Sequence, residues 1–256
     1  MINIKLYSME KKNRISSTVV FILSIAIICS CKKDNDMNIT VKDFDDNIYH
    51  TVTIGTQVWM VENLKTTHYN NGDPIPEVTS DVEWGNLTTG AYCNFDNSEG
   101  NVATFGRLYN WYAVNTRILA PKGWHIPTDA EWTILENWLI ANGYNYDGTT
   151  EGDRDTNNKI AKSLAADSIW SPDSFEGTVG NTDYPAKRNA TGFNALPGGF
   201  RNGSPFLAIF YHGYWWSSSE FDTSLAWYRN IYFHFSNVYR DFMGKKSGMS
   251  VRCIMD

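Results

Sequence analysis

Residue types able to do chemistry are present in this 256-residue chain, but their spacing withholds the familiar catalytic constellations. The five histidines are scattered, with no His-Glu-x-x-His pair and no second ligand at metal-binding spacing. There is no Gly-x-Ser-x-Gly elbow and no phosphate-cradling glycine loop. No catalytic residue and no metal ligand set is assigned, and the chain is not read as an enzyme. His125 stands between Trp124 and Ile126 just before a helix start, which points to packing or capping. Asp153-Arg154-Asp155-Thr156-Asn157 offers the oxygens of half a calcium loop. Asn158 stands where that loop needs Gly, however, and Leu164 where it needs Glu. An EF-hand is excluded; a calcium site of another form and a solvated loop stay as alternatives, and no other cofactor is implied.

The best candidate for binding chemistry is the run Tyr214-Trp215-Trp216. Successive side chains on a strand point to opposite faces, so one indole can fill the core while the other meets solvent. An exposed indole flanked by Tyr214, Arg201 and Asn202 would stack on a sugar ring or a peptide, with amide and guanidinium donors beside it. The alternative is that loops bury both indoles.

The elements that must position these residues are marked locally. Thr128-Asp129-Ala130-Glu131 forms a capping box behind Pro127, which accounts for both acids at a helix N-terminus. Trp132, Leu135, Trp138 and Leu139 then recur at helical spacing, and Asn142-Gly143 ends the helix. Asn158 to Ala166 predicts a shorter helix and Leu108 to Val114 a buried one. Tyr49 to Ile54, Gly55-Thr56 and Gln57 to Leu64 predict a hairpin. Strands are expected at Gly192 to Arg201, Tyr214 to Glu220, Ala226 to Phe235, Val238 to Phe242 and Met249 to Ile254. Alternation in the last of these turns Cys253 toward the core.

Lys11, Lys12 and Arg14 precede a ten-residue apolar run, Val19 to Ile28, that is too short to span a bilayer. Ile28-Cys29-Ser30-Cys31 follows and resembles the lipobox of bacterial lipoproteins, which implies cleavage before Cys31 and its lipidation. The expected organisation is a signal peptide over 1–30, lipidated Cys31 and a polar linker over 31–42, and one domain over 43–256. The charged tail from Lys32 to Asp36 resembles surface-export tethers, so an outward-facing outer-membrane lipoprotein is expected, held to the membrane by acyl chains. The full chain carries a net charge of −6, and removing the signal strips more bases than acids, so nucleic acid is not an expected partner. Cys93 and Cys253 then form an even pair in an oxidising compartment; a disulfide and two buried thiols are the alternatives.

Gly123-Trp-His-Ile-Pro-Thr-Asp-Ala-Glu-Trp132, Ala195-Leu-Pro-Gly-Gly-Phe-Arg201, Gly213-Tyr-Trp-Trp-Ser-Ser-Ser219 and Ser250-Val-Arg-Cys253 come in a distinctive order. With Gly55-Thr-Gln-Val-Trp-Met60 and Leu108 to Asn115, they resemble the Fibrobacter succinogenes major paralogous domain over about residues 43 to 256. The same motifs resemble formylglycine-generating enzymes, which implies an α+β, C-type-lectin-like fold: a twisted, mostly antiparallel sheet with a few helices and long loops. Ala120 stands before Pro121 where the family often has cysteine, leaving Cys93–Cys253 as the pairing available. The stretch 237–248 holds no cysteine, so the thiol chemistry of those enzymes does not carry over. The expected function is a non-catalytic binding module for a glycan or another extracellular polymer. An envelope component that binds protein partners is the second reading.

Overall fold

The computed structural model describes residues 40–153, 157–203 and 205–256. Cys31, the signal segment and most of the linker lie outside the described residues. The fold is mixed α+β, with mostly antiparallel sheets and few helices. No helix among the described residues is long and apolar enough to cross a membrane.

The first sheet has the order β1-β2-β3-β12-β6, from Thr40–Lys42 (β1), Ile48–Ile54 (β2), Gln57–Met60 (β3), Trp124–His125 (β6) and Ile254–Met255 (β12). Thr40–Lys42, read as the end of a linker, is thus part of the sheet, pairing antiparallel with Ile48–His50. The expected hairpin forms at Gly55-Thr56, with Ile54 opposite Gln57. The second sheet has the order β11-β10-β9-β7-β8, from Gly198–Arg201 (β7), Phe206–Ile209 (β8), His212–Glu220 (β9), Leu225–Tyr232 (β10) and Val238–Gly244 (β11). Its pairs are antiparallel except β7 with β9. Tyr92–Cys93 (β4) and Leu108–Tyr109 (β5) make a small ribbon.

The helices are Asp81–Asn86 (α1), Val102–Phe105 (α2), Trp111–Val114 (α3), Asp129–Ala141 (α4) and Ala161–Leu164 (α5). The expected helix over Leu108 to Val114 is therefore half strand, and the one over Asn158 to Ala166 is a single turn. The long helix matches its sequence reading. Thr128 Oγ1 accepts from the Glu131 amide, and the Glu131 carboxylate accepts from the Thr128 amide, a reciprocal cap contributing about 1 kcal/mol. At the other end Gly143 takes φ +72°, and the amides of Gly143 and Tyr144 return to the carbonyls of Ile140 and Leu139.

This helix buries Trp132, Leu135, Leu139 and Ile140 in a cluster with Trp59 of β3, Trp215 of β9, Ile231 of β10 and Ile254 of β12, and so joins the two sheets. A second cluster on the opposite side of β9 holds Trp216, Tyr228, Tyr109, Trp111 and Cys253. Between them threads the C-terminal segment. Ser250 O accepts from Trp216 N, Val251 O from Leu64 N, and Cys253 O from Met60 N. Every residue from Met249 to Ile254 is consequently buried, whichever way it points.

Candidate ligand-binding site

Trp215 and Trp216 do point to opposite faces, but both faces are covered: their exposures are 1% and 0%. The Trp215 indole donates to Asn63 Oδ1 at 2.9 Å, and the Trp216 indole to Tyr109 O at 2.9 Å. The expected indole platform is therefore corrected: α4 covers one face of β9, and the Tyr109–Trp111 segment covers the other. Arg201 is corrected likewise. Its guanidinium is fully buried, donating to Val78 O at 2.8 Å, Thr79 O at 3.0 Å and the Asp81 carboxylate at 2.8 Å. It also lies over the Trp84 ring at 4.5 Å. Asn202, one position on, is exposed. Tyr214 is 9% exposed.

The expected disulfide is absent, since Cys93 and Cys253 are free and buried. The fold places them in different clusters, Cys93 with Trp84 and Phe95, Cys253 with Tyr109 and Val251. Burial pushes the Cys93 thiol up to about 12, and Cys253 is raised as well, so both stay protonated. In the acidic loop, Arg154, Asp155 and Thr156 lie outside the described residues. Among the described residues, no group of three His, Cys, Asp or Glu side chains could hold a metal ion.

His125 is held from two sides, Nδ1 by Asp256 Oδ1 at 2.7 Å and Nε2 by Glu131 Oε1 at 2.8 Å. With both ring nitrogens engaged, no lone pair is left to act as a base.

The exposed aromatic surface lies at the far end of the second sheet. The register sets His212 opposite Tyr232 and Tyr214 opposite Asn230, so His212, Tyr214 and Tyr232 share a face. His212 stacks on Tyr232 at 4.1 Å and on Tyr214 at 5.3 Å, with interplanar angles of 10° and 16°. The buried Tyr214 thus anchors a stack that leads outward to half-buried Tyr232. Tyr232 continues to Phe235 at 5.1 Å, Phe235 to Tyr239 at 5.5 Å, and Phe233 links Tyr232 to Tyr211. Tyr211 is 50% and Phe235 41% exposed.

Local backbone makes this possible. The end of β8 and the β8–β9 connection take left-handed φ, +67° at Ala208 and +68° at Phe210, values unusual for residues with side chains. It is pinned by Phe210 N to Pro197 O and Ser171 N to Phe210 O, both 2.9 Å. Burial lowers the His212 pKa, with the Asn230 amide only partly opposing it, so the stack is uncharged at neutral pH. The phenol oxygens of Tyr211, Tyr232 and Tyr239 make no hydrogen bond among the described residues. Such a surface offers flat apolar faces and unspent hydroxyls, the combination that stacks on a sugar ring while bonding its hydroxyls. Sequence reading missed it because Tyr211 and His212 fell before the expected strand start, and the expected strand ran past Tyr232.

Two sheets bridged by one capped helix, with a C-terminal segment threaded between them, define a single mixed α+β class of domain. The chain belongs to the Fibrobacter succinogenes major domain family, whose profile matches residues 52–255. No curated protein and no solved structure matches it.

Proposed function

We propose that the chain is a lipid-anchored, non-catalytic binding module on the outward side of the bacterial outer membrane, with a glycan or another extracellular polymer as its ligand. The observation that carries this reading is the aromatic surface built on the half-buried His212–Tyr232 stack, with exposed Phe235 edge-on to Tyr232 and Tyr239, and with Tyr232 and Tyr239 hydroxyls that spend no bonds inside the domain. The pinning of His125 by two carboxylates supports the non-catalytic part. The lipobox-like Ile28-Cys29-Ser30-Cys31 supports the anchor. A C-type-lectin-like assignment belongs to the same proposal; the sharing of one sheet by the first and last strands supports it.

The test is a glycan array probed with the full-length protein in detergent, with Tyr232→Ala, Tyr211→Ala and Phe242→Ala alongside. Saturable binding to a polysaccharide, lost in the first two variants and kept in the third, is expected. Silence across the array from a folded protein removes the glycan reading. Cys31→Ala should in turn release the protein from the membrane fraction.

One observation favours protein partners instead. Phe221 and Phe242 stack at 4.0 Å and are 44% and 40% exposed, with Trp227 edge-on to both. This patch presents little hydrogen-bonding capacity and fits an apolar protein surface better than a sugar.

A further inference from the structure

A separate cavity of about 480 Å³ lies between the end of α3, the junction of β6 with α4, and the outer half of β9. That volume is within the range of sites that enclose a small molecule. Its floor is apolar, from Val114, Ala120 and Ile126. Three of its polar side chains already have partners. Thr128 Oγ1 is shared with Glu131, Ser219 Oγ accepts from the Asp129 amide at 3.0 Å, and His125 is saturated.

Three groups in the wall are not so engaged. The Arg117 guanidinium makes no ion pair, and the side chains of Arg117, Asn115 and Ser218 make no hydrogen bond, among the described residues. Arg117 and His125 are the charged side chains that line the cavity; Glu131 and Asp256 bond His125 without lining it themselves. Arg117 is exposed and unpaired beside an apolar floor, whereas Arg107, Arg201 and Arg229 are buried in ion pairs. Its backbone is unusual too. Arg117 takes φ +61°, a left-handed conformation that residues with a side chain adopt at a steric cost. The turn is fixed by Thr116 Oγ1 donating to Ala113 O at 2.7 Å and by Arg117 N reaching Val114 O at 3.3 Å. Glycine would satisfy this backbone more easily, so the turn alone does not call for arginine.

We infer that this cavity binds a small organic acid, its carboxylate on the Arg117 guanidinium with Asn115 and Ser218 as flanking donors, and its apolar body on Val114, Ala120 and Ile126. The planar guanidinium matches a carboxylate with two parallel hydrogen bonds. A bare phosphate or sulfate would leave the apolar floor uncovered, and an uncharged apolar molecule would leave the cation unused. The proposal shares no residue with the aromatic face, so glycan binding at that face and acid binding here succeed or fail separately.

The test is isothermal titration of the full-length protein in detergent with 3-phenylpropanoate, 4-methylpentanoate and benzoate, using 3-phenylpropanamide and acetate as controls. At least one of the three acids should bind saturably. The amide and acetate should each bind at least roughly tenfold more weakly, for want of the charge-assisted pair and the apolar body respectively. Arg117→Gly, which removes the side chain while relaxing the backbone, should lose binding by at least roughly tenfold with no drop in Tm. Arg117→Lys should recover part of it. Equal affinity for acid and amide, unchanged binding by Arg117→Gly, or no heat from any of the three acids would overturn the proposal.

Discussion

At the scale of single residues, the charged side chains inside this domain act as struts. Arg201 holds three loop carbonyls and Asp81, Arg229 joins Glu136 and Asp129 of α4, and Arg252 donates to Asn63 and Phe193. Burial pushes the Arg252 pKa down to about 9, which still leaves it a cation at neutral pH. His125 is the strut that titrates in the accessible range. Burial alone would lower its pKa, but Asp256 and Glu131 outweigh that and hold it above the ordinary imidazole value. Glu131 is held below its ordinary value, since its bonds from Thr128 and His125 outweigh burial. The signs are opposite. The His125 contribution is complete below about pH 6.5 and fades as pH rises through its raised value. The Glu131 contribution is complete above about pH 4.5 and fades as pH falls through its lowered value. Thermal melts of wild type against His125→Gln should therefore differ most between about pH 5 and 6.5, and the gap should close in alkali. A gap that stays constant from about pH 5 into alkali would show that charge plays no part.

At the scale of elements, local chemistry and distant packing are separable at two glycines. Gly55 takes φ +63° in the β2–β3 turn, and an added Cβ there would stand 2.9 Å from the Trp138 ring. Gly123 takes φ +80° with nothing within 4 Å. Gly123→Ala should lose only the backbone preference, about 1 kcal/mol, whereas Gly55→Ala adds an overpacked contact and should lose about 2–3 kcal/mol. Urea midpoints of the two variants test this, and equal losses would mean Trp138 simply moves aside. The hairpin turn and the long helix were legible because capping box, helical period and turn glycine all lie within a few residues of one another. The short strands Tyr92–Cys93 and Trp124–His125 were not, since two residues carry no period and pair only because distant chain comes alongside.

At the scale of the whole molecule, stability comes from two aromatic clusters on either side of β9, with no crosslink between Cys93 and Cys253. Reductant should therefore leave the melting temperature unchanged, and alkylation should reach both thiols only after unfolding. A Tm that falls on reduction would point to a bridge after all. Membership of the family could be read from motif order along the chain, as could the helix cap and the opposed directions of Trp215 and Trp216, because each depends on neighbours in sequence. Exposure could not. Whether an indole meets water depends on what covers each face of its strand, and here the cover comes from Tyr109, Trp132 and the C-terminal segment, all remote in sequence. Tertiary structure alone made Arg201 a strut, left the aromatic stack at His212 and Tyr232 open, and placed Arg117 at a cavity, because burial and pairing are properties of the packed chain.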